Sequence, residues 1–372
     1  MAETGAEMNQ TEKHSVVLIP SLEPDDRLPV YVRKLGEYGL SHIVIVDDGS
    51  GNDYQDIFKE LEEGGCTVLR HKVNMGKGLA LKTGYRHIKE HVPGYMCIIT
   101  ADSDGQHAPE DVYKLAKEAE LHPHALILGV RDFKKAGIPV KSLIGNRITS
   151  AVFAGLYGKY LPDTQTGLRA FGSSLTDKMT GIKGEGFEYE TQVLVTCIRS
   201  RIQVLTVPIQ TIYEDENRRT HFKAVRDSLK IIRTLGADFM KFLSSSFVCS
   251  FVDIGLAWVL LDLLRPYVQG KDFLRIMIAT AAARTVSIAV NYLLNKTVVF
   301  KDRHGPGNSL IRYLALCVCN ILLSAGGVYL LHQALGVHER LTKLLCDGCL
   351  FLIGYQIQQR WVFSREEGWF HE

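Results

Sequence analysis

Hydrophobic and polar positions follow different patterns in the two parts of the chain. Up to about residue 220, short apolar runs of strand length alternate with amphipathic segments of helix length. This alternation is typical of a doubly wound α/β fold with a mostly parallel sheet. The predicted strands cover residues 16–19, 43–46, 67–69, 95–100 and 125–128, and the predicted helices cover 30–38, 54–62, 78–89 and 109–120.

Four long apolar runs follow in the second part of the chain, at about residues 242–264, 273–294, 310–335 and 342–362. Each is close to the ~20 residues that a helix needs to cross a bilayer. Four such runs in succession are unusual for the buried helices of a water-soluble domain. The pattern therefore predicts an all-α transmembrane domain of four helices over residues 242–363, with a tail at 364–372.

The composition excludes one class of partner. The 372 residues include 43 Lys and Arg against 41 Asp and Glu, a formal net charge of +2. Nucleic-acid-binding proteins usually carry a clear basic excess, so we expect no nucleic-acid partner. Residues 1–14 are polar and acidic, unlike a secretory signal. We expect them to be a disordered N-terminus, and the first part of the chain to stay in the cytoplasm.

Acidic residues follow two of the predicted strands. Asp47 and Asp48 come directly after strand 43–46, and Asp102 and Asp104 follow strand 95–100. A single Asp-Gly turn is more often turn or helix N-cap chemistry than a binding site. Two acidic clusters at the carboxyl ends of strands in one sheet instead indicate a ligand site. Because carboxylates two residues apart share a face of an extended stretch, they repel unless a cation such as Mg²⁺ or Mn²⁺ lies between them.

A glycine-flanked lysine precedes the third predicted helix, in the segment Asn74-Met75-Gly76-Lys77-Gly78. Backbone N–H groups at a helix start, together with an ammonium group, favour an anion. The segment lacks the spacing of a P-loop, and no G-x-G-x-x-G follows the first strand. A nicotinamide-dependent dehydrogenase is therefore poorly supported.

Taken in order, five motifs resemble those of the family 2 inverting glycosyltransferases with a GT-A fold, over about residues 15–232. The closest resemblance within that family is to the polyprenol-phosphate (dolichol-phosphate) sugar transferases. The motifs are Ile45-Val46-Asp47-Asp48-Gly49-Ser50, Asn74-Met75-Gly76-Lys77-Gly78, Asp102-x-Asp104-x-Gln106-His107, Gly129-Val130-Arg131 and Asp163-Thr164-Gln165-Thr166-Gly167-Leu168-Arg169. The resemblance implies a Rossmann-like GT-A domain over residues 15–220.

The resemblance also implies roles for individual residues. A divalent cation, Mg²⁺ or Mn²⁺, would be held by Asp102, Asp104 and Gln106 and would bridge the donor pyrophosphate. The catalytic group would be Asp104 with a cationic nest for the acceptor's phosphate, formed by Arg131, Arg147 and Arg169. The donor-binding group would be Pro20, Glu23, Asp47, Asp48, Gly76, Lys77, Asp102 and Ser103, with Asp47 and Asp48 at the base and ribose.

The implied reaction transfers a sugar, with inversion, from a nucleotide-sugar donor to a polyprenyl phosphate (undecaprenyl or dolichyl). A lipid monophosphate is already ionised at pH 7, so this reaction needs no strong general base. Glu23-Pro24 stands where the family usually has Asn-Glu, which leaves both UDP- and GDP-linked donors open. Two alternatives remain: transfer to a glycan or lipid hydroxyl, with a carboxylate near Asp163 as the base, or a lipid-linked sugar translocator or scaffold whose first domain senses nucleotide sugar.

The second part of the chain contains an internal repeat. Residues 292–300 align with residues 355–363 at an offset of 63, and both segments end in Val-Phe after a polar pair. This pattern resembles the GtrA-like four-helix membrane family. Three ionisable residues, Asp253, Arg284 and Asp347, fall within the predicted spans. Because such groups are costly in a bilayer, we predict at least one Asp–Arg pair among them.

A basic amphipathic helix is predicted at residues 221–241, between the two parts. Its apolar stripe is Phe222, Val225, Leu229 and Ile232, and the basic residues beside it are Lys223, Arg226, Lys230 and Arg233. Such a helix favours the membrane surface and would bring the arginines to the level of lipid headgroups. We expect a multi-pass protein of the cytoplasmic membrane, with the lipid bilayer as a partner and the catalytic domain facing the cytoplasm. Homo-oligomerisation is compatible with the sequence.

Overall fold

The computed structural model describes residues 15–131, 140–210, 224–302, 306–335 and 339–363. These residues form two compact units. The first comprises the described chain up to Ala154 and from Lys159 to Leu235, and the second comprises residues 155–158 and the described chain from Gly236 onward. The expected N-terminus 1–14 and tail 364–372 lie outside the described residues.

The first unit is an α/β sheet domain. Its strands are β1 Ser15–Ser21, β2 Ile43–Asp47, β3 Thr67–Arg70, β4 Cys97–Thr100, β5 Ala125–Arg131, β6 Arg169–Gly172 and β7 Gln203–Ile209. Its helices are α1 Arg27–Glu37, α2 Gln55–Glu63, α3 Lys77–His91, α4 Pro109–Leu121, α5 Val140–Tyr157, α6 Thr176–Gly181 and α7 Glu188–Arg199. The sheet order is β3-β2-β1-β4-β6-β5-β7, which confirms the predicted doubly wound class.

All strand pairs are parallel except those of β6, which runs antiparallel between β4 and β5. The five predicted strands are present, whereas β6 and β7 were not predicted. β6 has only four residues and includes an arginine and a glycine, and β7 contains a proline and exposes alternate side chains. Neither pattern is a strong strand signal.

The core forms because successive strand side chains point to opposite faces of the sheet. On one face, strand residues pack against α1, α2 and α4; this cluster includes Val17, Ile19, Ile45, Ile99, Ile127, Leu28, Leu35, Phe58, Val112 and Leu115. On the other face α3 packs against β1 and β2, and Tyr85 meets Phe171 edge-on. Because helices cover both faces of the sheet, polar side chains that could bind a ligand lie at the ends of the strands.

Four further helices follow along the chain, α8 Ala224–Leu264, α9 Asp272–Leu294, α10 Pro306–Leu335 and α11 Glu339–Ile357. The second unit contains α8 from Gly236 onward and the other three helices. Within the described residues, three segments are long and apolar enough to cross a membrane: Arg233–Leu264, Asp272–Val299 and Gly307–Leu331. The helix α11, at 19 residues, corresponds to the fourth predicted run. The all-α membrane domain is thereby confirmed.

The predicted linker helix and the first span form one helix in the structure. The helix α8 runs from Ala224 to Leu264 without a break at residue 241. No proline interrupts this stretch, and Gly236 is tolerated within the helix. The predicted residues 221–223 and the side chains of 224–230 and 232 lie outside the described residues, so the amphipathic face stays a prediction.

The internal repeat has a structural counterpart at the ends of α9 and α11. Both helices continue into a single π-helical turn, Asn295–Val299 and Gln358–Val362. The rings of Phe300 and Phe363, the equivalent last residues, stack with centroids 5.3 Å apart. The two turns are therefore equivalent in sequence position and in conformation.

A buried amide joins the two turns. The Nδ2 group of Asn295 donates to Oε1 of Gln358 at 3.0 Å and to Oδ1 of Asn291 at 2.5 Å. Its Oδ1 accepts from the Ser245 hydroxyl on α8 at 2.8 Å. One side chain thus connects three helices within the second unit.

The predicted intramembrane ion pair is confirmed. Nη2 of Arg284 on α9 lies 3.1 Å from Oδ2 of Asp253 on α8. The third ionisable residue, Asp347, instead bonds Ser324 at 2.6 Å and Lys343 on its own helix at 3.1 Å. Pairing lowers the cost of ionised groups in an apolar environment.

We predict that Asn295→Ala destabilises the membrane unit by about 1–2 kcal/mol, because it removes several buried interhelical hydrogen bonds. The measurement is the thermal unfolding midpoint of the detergent-solubilised protein. Thr297→Ala, in the same turn but exposed, is the matched control and is expected to change the free energy of unfolding by less than about 0.5 kcal/mol. Equal effects of the two substitutions would contradict the role of the amide.

Candidate functional site

A cleft of about 320 Å³ opens at the carboxyl ends of β1, β2 and β4 in the first unit. Its walls come from the segment after β1, the loop before α3, the turn after β4 and the loop before α7. The lining residues are Pro20, Ser21, Leu22, Glu23, Pro24, Asp25, Arg27, Asp48, Asn74, Gly76, Lys77, Ala80, Asp102, Ser103, Asp104, Gly186 and Phe187. The cleft therefore brings together most of the residues predicted to bind the donor.

Asp102 is an acid of the cleft with a basic side chain next to each of its oxygens. Its Oδ1 lies 2.7 Å from Nζ of Lys77, and its Oδ2 lies 3.2 Å from Nε2 of His107. Burial alone would raise the pKa of this carboxyl group, but the two basic neighbours outweigh burial and hold the pKa well below its usual range. Asp102 is therefore ionised throughout the neutral range.

Asp104 has the opposite electrostatic environment. Burial, followed by the nearby charge of Asp102, raises its pKa. Its Oδ1 accepts the backbone N–H of Gln106 at 3.1 Å, in a turn that keeps the three predicted metal ligands together. Burial and the same two acids raise the pKa of Tyr31, whose buried hydroxyl has no hydrogen-bond partner among the described residues. The site thus concentrates negative charge next to an unpaired polar group.

The Asp102 carboxylate is packed against a glycine of the loop before β6. A Cβ atom on Gly167 would lie 2.2 Å from Oδ2 of Asp102, so no larger residue fits there without moving the acid. The Gly167 carbonyl accepts the Thr100 hydroxyl at 2.9 Å. The antiparallel strand β6 therefore sets the position of the acid at the end of β4.

The carboxylates of Asp47 and Asp48 both accept hydrogen bonds from backbone N–H groups. Asp47 is buried and does not line the cleft; its Oδ1 accepts the Ser50 N–H at 2.8 Å. Asp48 lines the cleft, but it accepts the N–H groups of Met75 at 2.9 Å and Gly76 at 2.8 Å. Gly76 has φ +100, which glycine adopts without strain. Asp48 therefore fixes the loop that presents Lys77.

The predicted acceptor arginines lie in different environments. Arg131 forms a two-pronged ion pair with Asp163, with Nε 2.6 Å from Oδ2 and Nη2 3.0 Å from Oδ1. The Asp163 side chain is 0% exposed. Arg147 on α5 is exposed, and its neighbour Asn146 bonds the Pro162 carbonyl at 2.6 Å and the Thr164 N–H at 3.1 Å. Asn146 thus ties the helix carrying Arg147 to the loop that pairs with Arg131.

Arg169 does not lie at an accessible position. It is buried, and its guanidinium group donates to the backbone carbonyls of Thr166 at 2.9 Å and Glu190 at 2.6 Å. The N–H groups that bond these carbonyls are donors that could otherwise bind a phosphate. The structure therefore places Arg169 between the β6 loop and the start of α7, and its contribution to a phosphate site stays a prediction.

Sequence reasoning missed several residues of the cleft. Oε1 of Glu190 lies 3.0 Å from Nζ of Lys77, a contact that the sequence analysis did not predict. Phe187 lines the cleft with its ring centroid 5.8 Å from the same nitrogen. Their position in the Gly-Phe-Glu-Tyr-Glu segment, after no predicted strand, gave no indication of this contact. Asp25 and Arg27, which form an ion pair at the cleft wall, were also missed.

Two family profiles match the chain. Residues 17–179 match "Glycosyl transferase family 2", and residues 241–363 match "GtrA/DPMS, transmembrane domain". The first match covers the sheet domain from β1 into α6, and the second covers the described helical membrane unit from residue 241 onward.

Similar proteins come mainly from comparisons over the first unit. An uncharacterised protein of Methanocaldococcus jannaschii is 30% identical over 58% of this chain and 88% of its own length. The UDP-N-acetylglucosamine–dolichyl-phosphate N-acetylglucosaminyltransferase of Methanococcus voltae is 29% identical over 55% of this chain and 88% of its own length. The polyprenol monophosphomannose synthase of Mycolicibacterium smegmatis is 24% identical over 53% of this chain and 77% of its own length.

Among solved structures, the Mycobacterium tuberculosis glucosyl-3-phosphoglycerate synthase with Mn²⁺, UDP and phosphoglyceric acid aligns with a TM-score of 0.48 and 16% identity. The alignment covers 62% of this chain and 81% of that chain. The family matches, and not this alignment, carry the assignment. The chain belongs to glycosyl transferase family 2 and is a glycosyltransferase joined to a GtrA/DPMS transmembrane domain.

Proposed function

We propose that this enzyme transfers a sugar, with inversion, from a nucleotide-sugar donor to a polyprenyl phosphate, with the help of a divalent cation. The observation that carries the proposal is the acidic pair Asp102 and Asp104, which lines a cleft opposite the Gly76–Lys77 segment. This arrangement suits a metal-bound pyrophosphate. The acceptor class is supported by relatives named as dolichyl-phosphate and polyprenol-phosphate sugar transferases, and by the membrane unit.

The donor's diphosphate suits the part of the cleft around α3. Backbone N–H groups at the start of this 15-residue helix and the Lys77 ammonium group favour an anion. Glu23, Pro20 and Ser103 line the same cleft and remain proposed donor contacts. Glu23 has φ +49, and its N–H donates to the Ser50 hydroxyl at 2.8 Å, so the turn after β1 is firmly held. Both UDP and GDP donors fit the proposal.

The residues present fit a hard divalent cation. Asp102, Asp104 and Gln106 offer carboxylate and amide oxygens, the ligands that Mg²⁺ and Mn²⁺ prefer. In the described ranges there is no group of three or more His, Cys, Asp or Glu side chains that could hold a metal ion. Phosphate oxygens of the substrate would complete the coordination of the proposed cation. When bound, the cation supplies Lewis-acid stabilisation of the departing diphosphate.

On the acceptor side, we propose that Arg147 and Arg131 bind the lipid phosphate. Arg147 is exposed, and Arg131 is oriented by its two hydrogen bonds to Asp163. Arg131, oriented by Asp163, and Arg147 together would hold a phosphate oxygen in line for attack. That oxygen forms a bond to the anomeric carbon while the bond from this carbon to the donor's phosphate oxygen breaks. The electron pair leaves with the nucleoside diphosphate, and no proton has to be removed.

The same contacts disfavour transfer to a hydroxyl group. That alternative needs a base, and the candidate was a carboxylate near Asp163. The side chain of Asp163 itself is fully buried, and both its oxygens accept hydrogen bonds, from Arg131 and from the Gln165 N–H at 3.1 Å. Asp163 is therefore not positioned to contact the hydroxyl group of an incoming substrate.

The cytoplasmic membrane, with the catalytic unit facing the cytoplasm, is part of this proposal. The connection after α9 carries Lys296 and Lys301. After two crossings this connection would share the side of the first unit. The connection after α8 also carries two basic residues, Arg265 and Lys271, so the positive-inside bias is weak. The domain limits 15–220, 221–241 and 242–363 are likewise proposed as functional boundaries.

We expect membranes containing the protein to transfer label from UDP-glucose, UDP-GlcNAc or GDP-mannose to undecaprenyl phosphate in the presence of Mn²⁺. Asp104→Ala is expected to lower the rate by roughly 100-fold or more, since it removes a ligand of the Lewis acid. Asp177→Ala, which changes an exposed surface acid, should leave the rate unchanged. Retention of lipid-linked label in Asp104→Ala would exclude the metal assignment, and absence of product with every donor would favour the translocator alternative.

Gly167→Ala is expected to lower turnover by roughly 100-fold, because the added methyl group must displace the Asp102 carboxylate. The matched control is Gly181→Ala, where a Cβ atom meets nothing within 4 Å. Steady-state kinetics and circular dichroism of both variants provide the measurement. A fully active Gly167→Ala enzyme would show that the position of Asp102 is unimportant.

Arg147→Gln is expected to raise the KM for polyprenyl phosphate roughly tenfold or more, because a charge-assisted hydrogen bond to the lipid phosphate is lost. The KM for the donor should stay within about twofold, and Arg147→Lys should restore part of the effect. Arg86→Gln, an exposed arginine on α3, serves as the control. A selective rise in the KM for the donor would show that Arg147 acts on the donor and not on the lipid phosphate, which would contradict the proposal.

A further inference from the structure

The ammonium group of Lys77 lies next to Asp102, where a divalent cation bound by Asp102 and Asp104 would be expected. Its Nζ is 2.7 Å from Oδ1 of Asp102 and 3.0 Å from Oε1 of Glu190. The side chain is only 16% exposed. The second oxygen of Asp102 faces His107. Both oxygens of this proposed metal ligand are therefore occupied by groups of the protein.

The ammonium group is held strongly in this position. The ammonium group contacts two carboxylates, and each of them stabilises its positive charge. A divalent cation that approached Asp102 would meet a positive charge within a few ångströms, in a partly desolvated cleft where repulsion is poorly screened.

Lys77 can leave Asp102 without a change in the fold. It is the first residue of α3, its side chain is long and flexible, and it lines the same cleft as Gly76 and Asn74. A nucleoside diphosphate in that cleft would offer the ammonium group a new anionic partner. Glu190 is kept in place meanwhile, because its backbone carbonyl accepts Nη1 of the buried Arg169 at 2.6 Å.

We infer that Lys77 is an internal counter-ion that keeps the divalent cation from Asp102 until the donor's diphosphate draws the lysine away. Metal and nucleoside diphosphate then bind cooperatively, and metal alone binds poorly. The inference rests on the proposed function and adds to it the order of loading. It also assigns a positioning role to Glu190, which holds Lys77 beside the diphosphate site.

The test is the affinity of the full-length, detergent-solubilised protein for Mn²⁺, followed by the electron paramagnetic resonance signal of the free ion. Titrations are made without nucleotide and with saturating UDP or GDP. For the wild type we expect UDP or GDP to tighten Mn²⁺ binding by about tenfold or more. For Lys77→Met we expect Mn²⁺ alone to bind about tenfold more tightly than to the wild type, with the nucleotide effect reduced towards onefold.

Two further variants make the result specific. Lys89→Met removes the same charge from an exposed position on the same helix and should behave as the wild type. Lys77→Gln repeats the neutralisation with a polar side chain in case the methionine variant does not fold. Unchanged or weaker binding of Mn²⁺ alone to folded Lys77→Met or Lys77→Gln would overturn the inference and leave the transfer reaction standing. Absence of Mn²⁺ binding to the wild type with both nucleotides would overturn the metal-dependent function itself.

Discussion

The pairing of β4 with the antiparallel strand β6 is the constraint on which the site depends. This pairing sets Thr100 opposite Arg169, and it thereby brings the loop before β6 against the end of β4. Gly167 then supports the Asp102 carboxylate from behind, and Arg169 fixes the start of α7, which carries Glu190. A single strand pairing therefore determines where the acids and their lysine partner meet.

Buried charged side chains in the first unit are paired with side chains of opposite charge and are not left to be neutralised by solvent. Lys77 is shared by two carboxylates, and Arg131 is paired with a fully buried one. Groups paired in this way keep their geometry until a substrate offers a new partner, because a desolvated charge left alone would be costly. The cleft is therefore rigid at its acids and adjustable at one long side chain.

The sequence predicted the first five strands, the fold class and the four apolar helices, because hydrophobic periodicity indicates each of them. It also predicted an Asp–Arg pair in the membrane helices, because an unpaired ionised group is costly in a bilayer whatever its neighbours are. It did not reach β6 or the Lys77–Glu190 contact. A strand of four residues with Arg and Gly has no distinctive pattern, and a contact between residues far apart in sequence is created only by folding. The contacts of Arg169 with backbone carbonyls were not predicted for the same reason, because the sequence motif does not show which groups its side chain meets.

The amide contact between the two π-helical turns has a consequence for the duplicated hairpins of the membrane unit. The equivalent residues are asparagine in one copy and glutamine in the other, and their side chains differ by one methylene. Two asparagines would fall short of each other, and two glutamines would be crowded. The two hairpins therefore carry different residues at the equivalent position, and replacing either hairpin by a copy of the other would not preserve the hydrogen bond between Asn295 and Gln358.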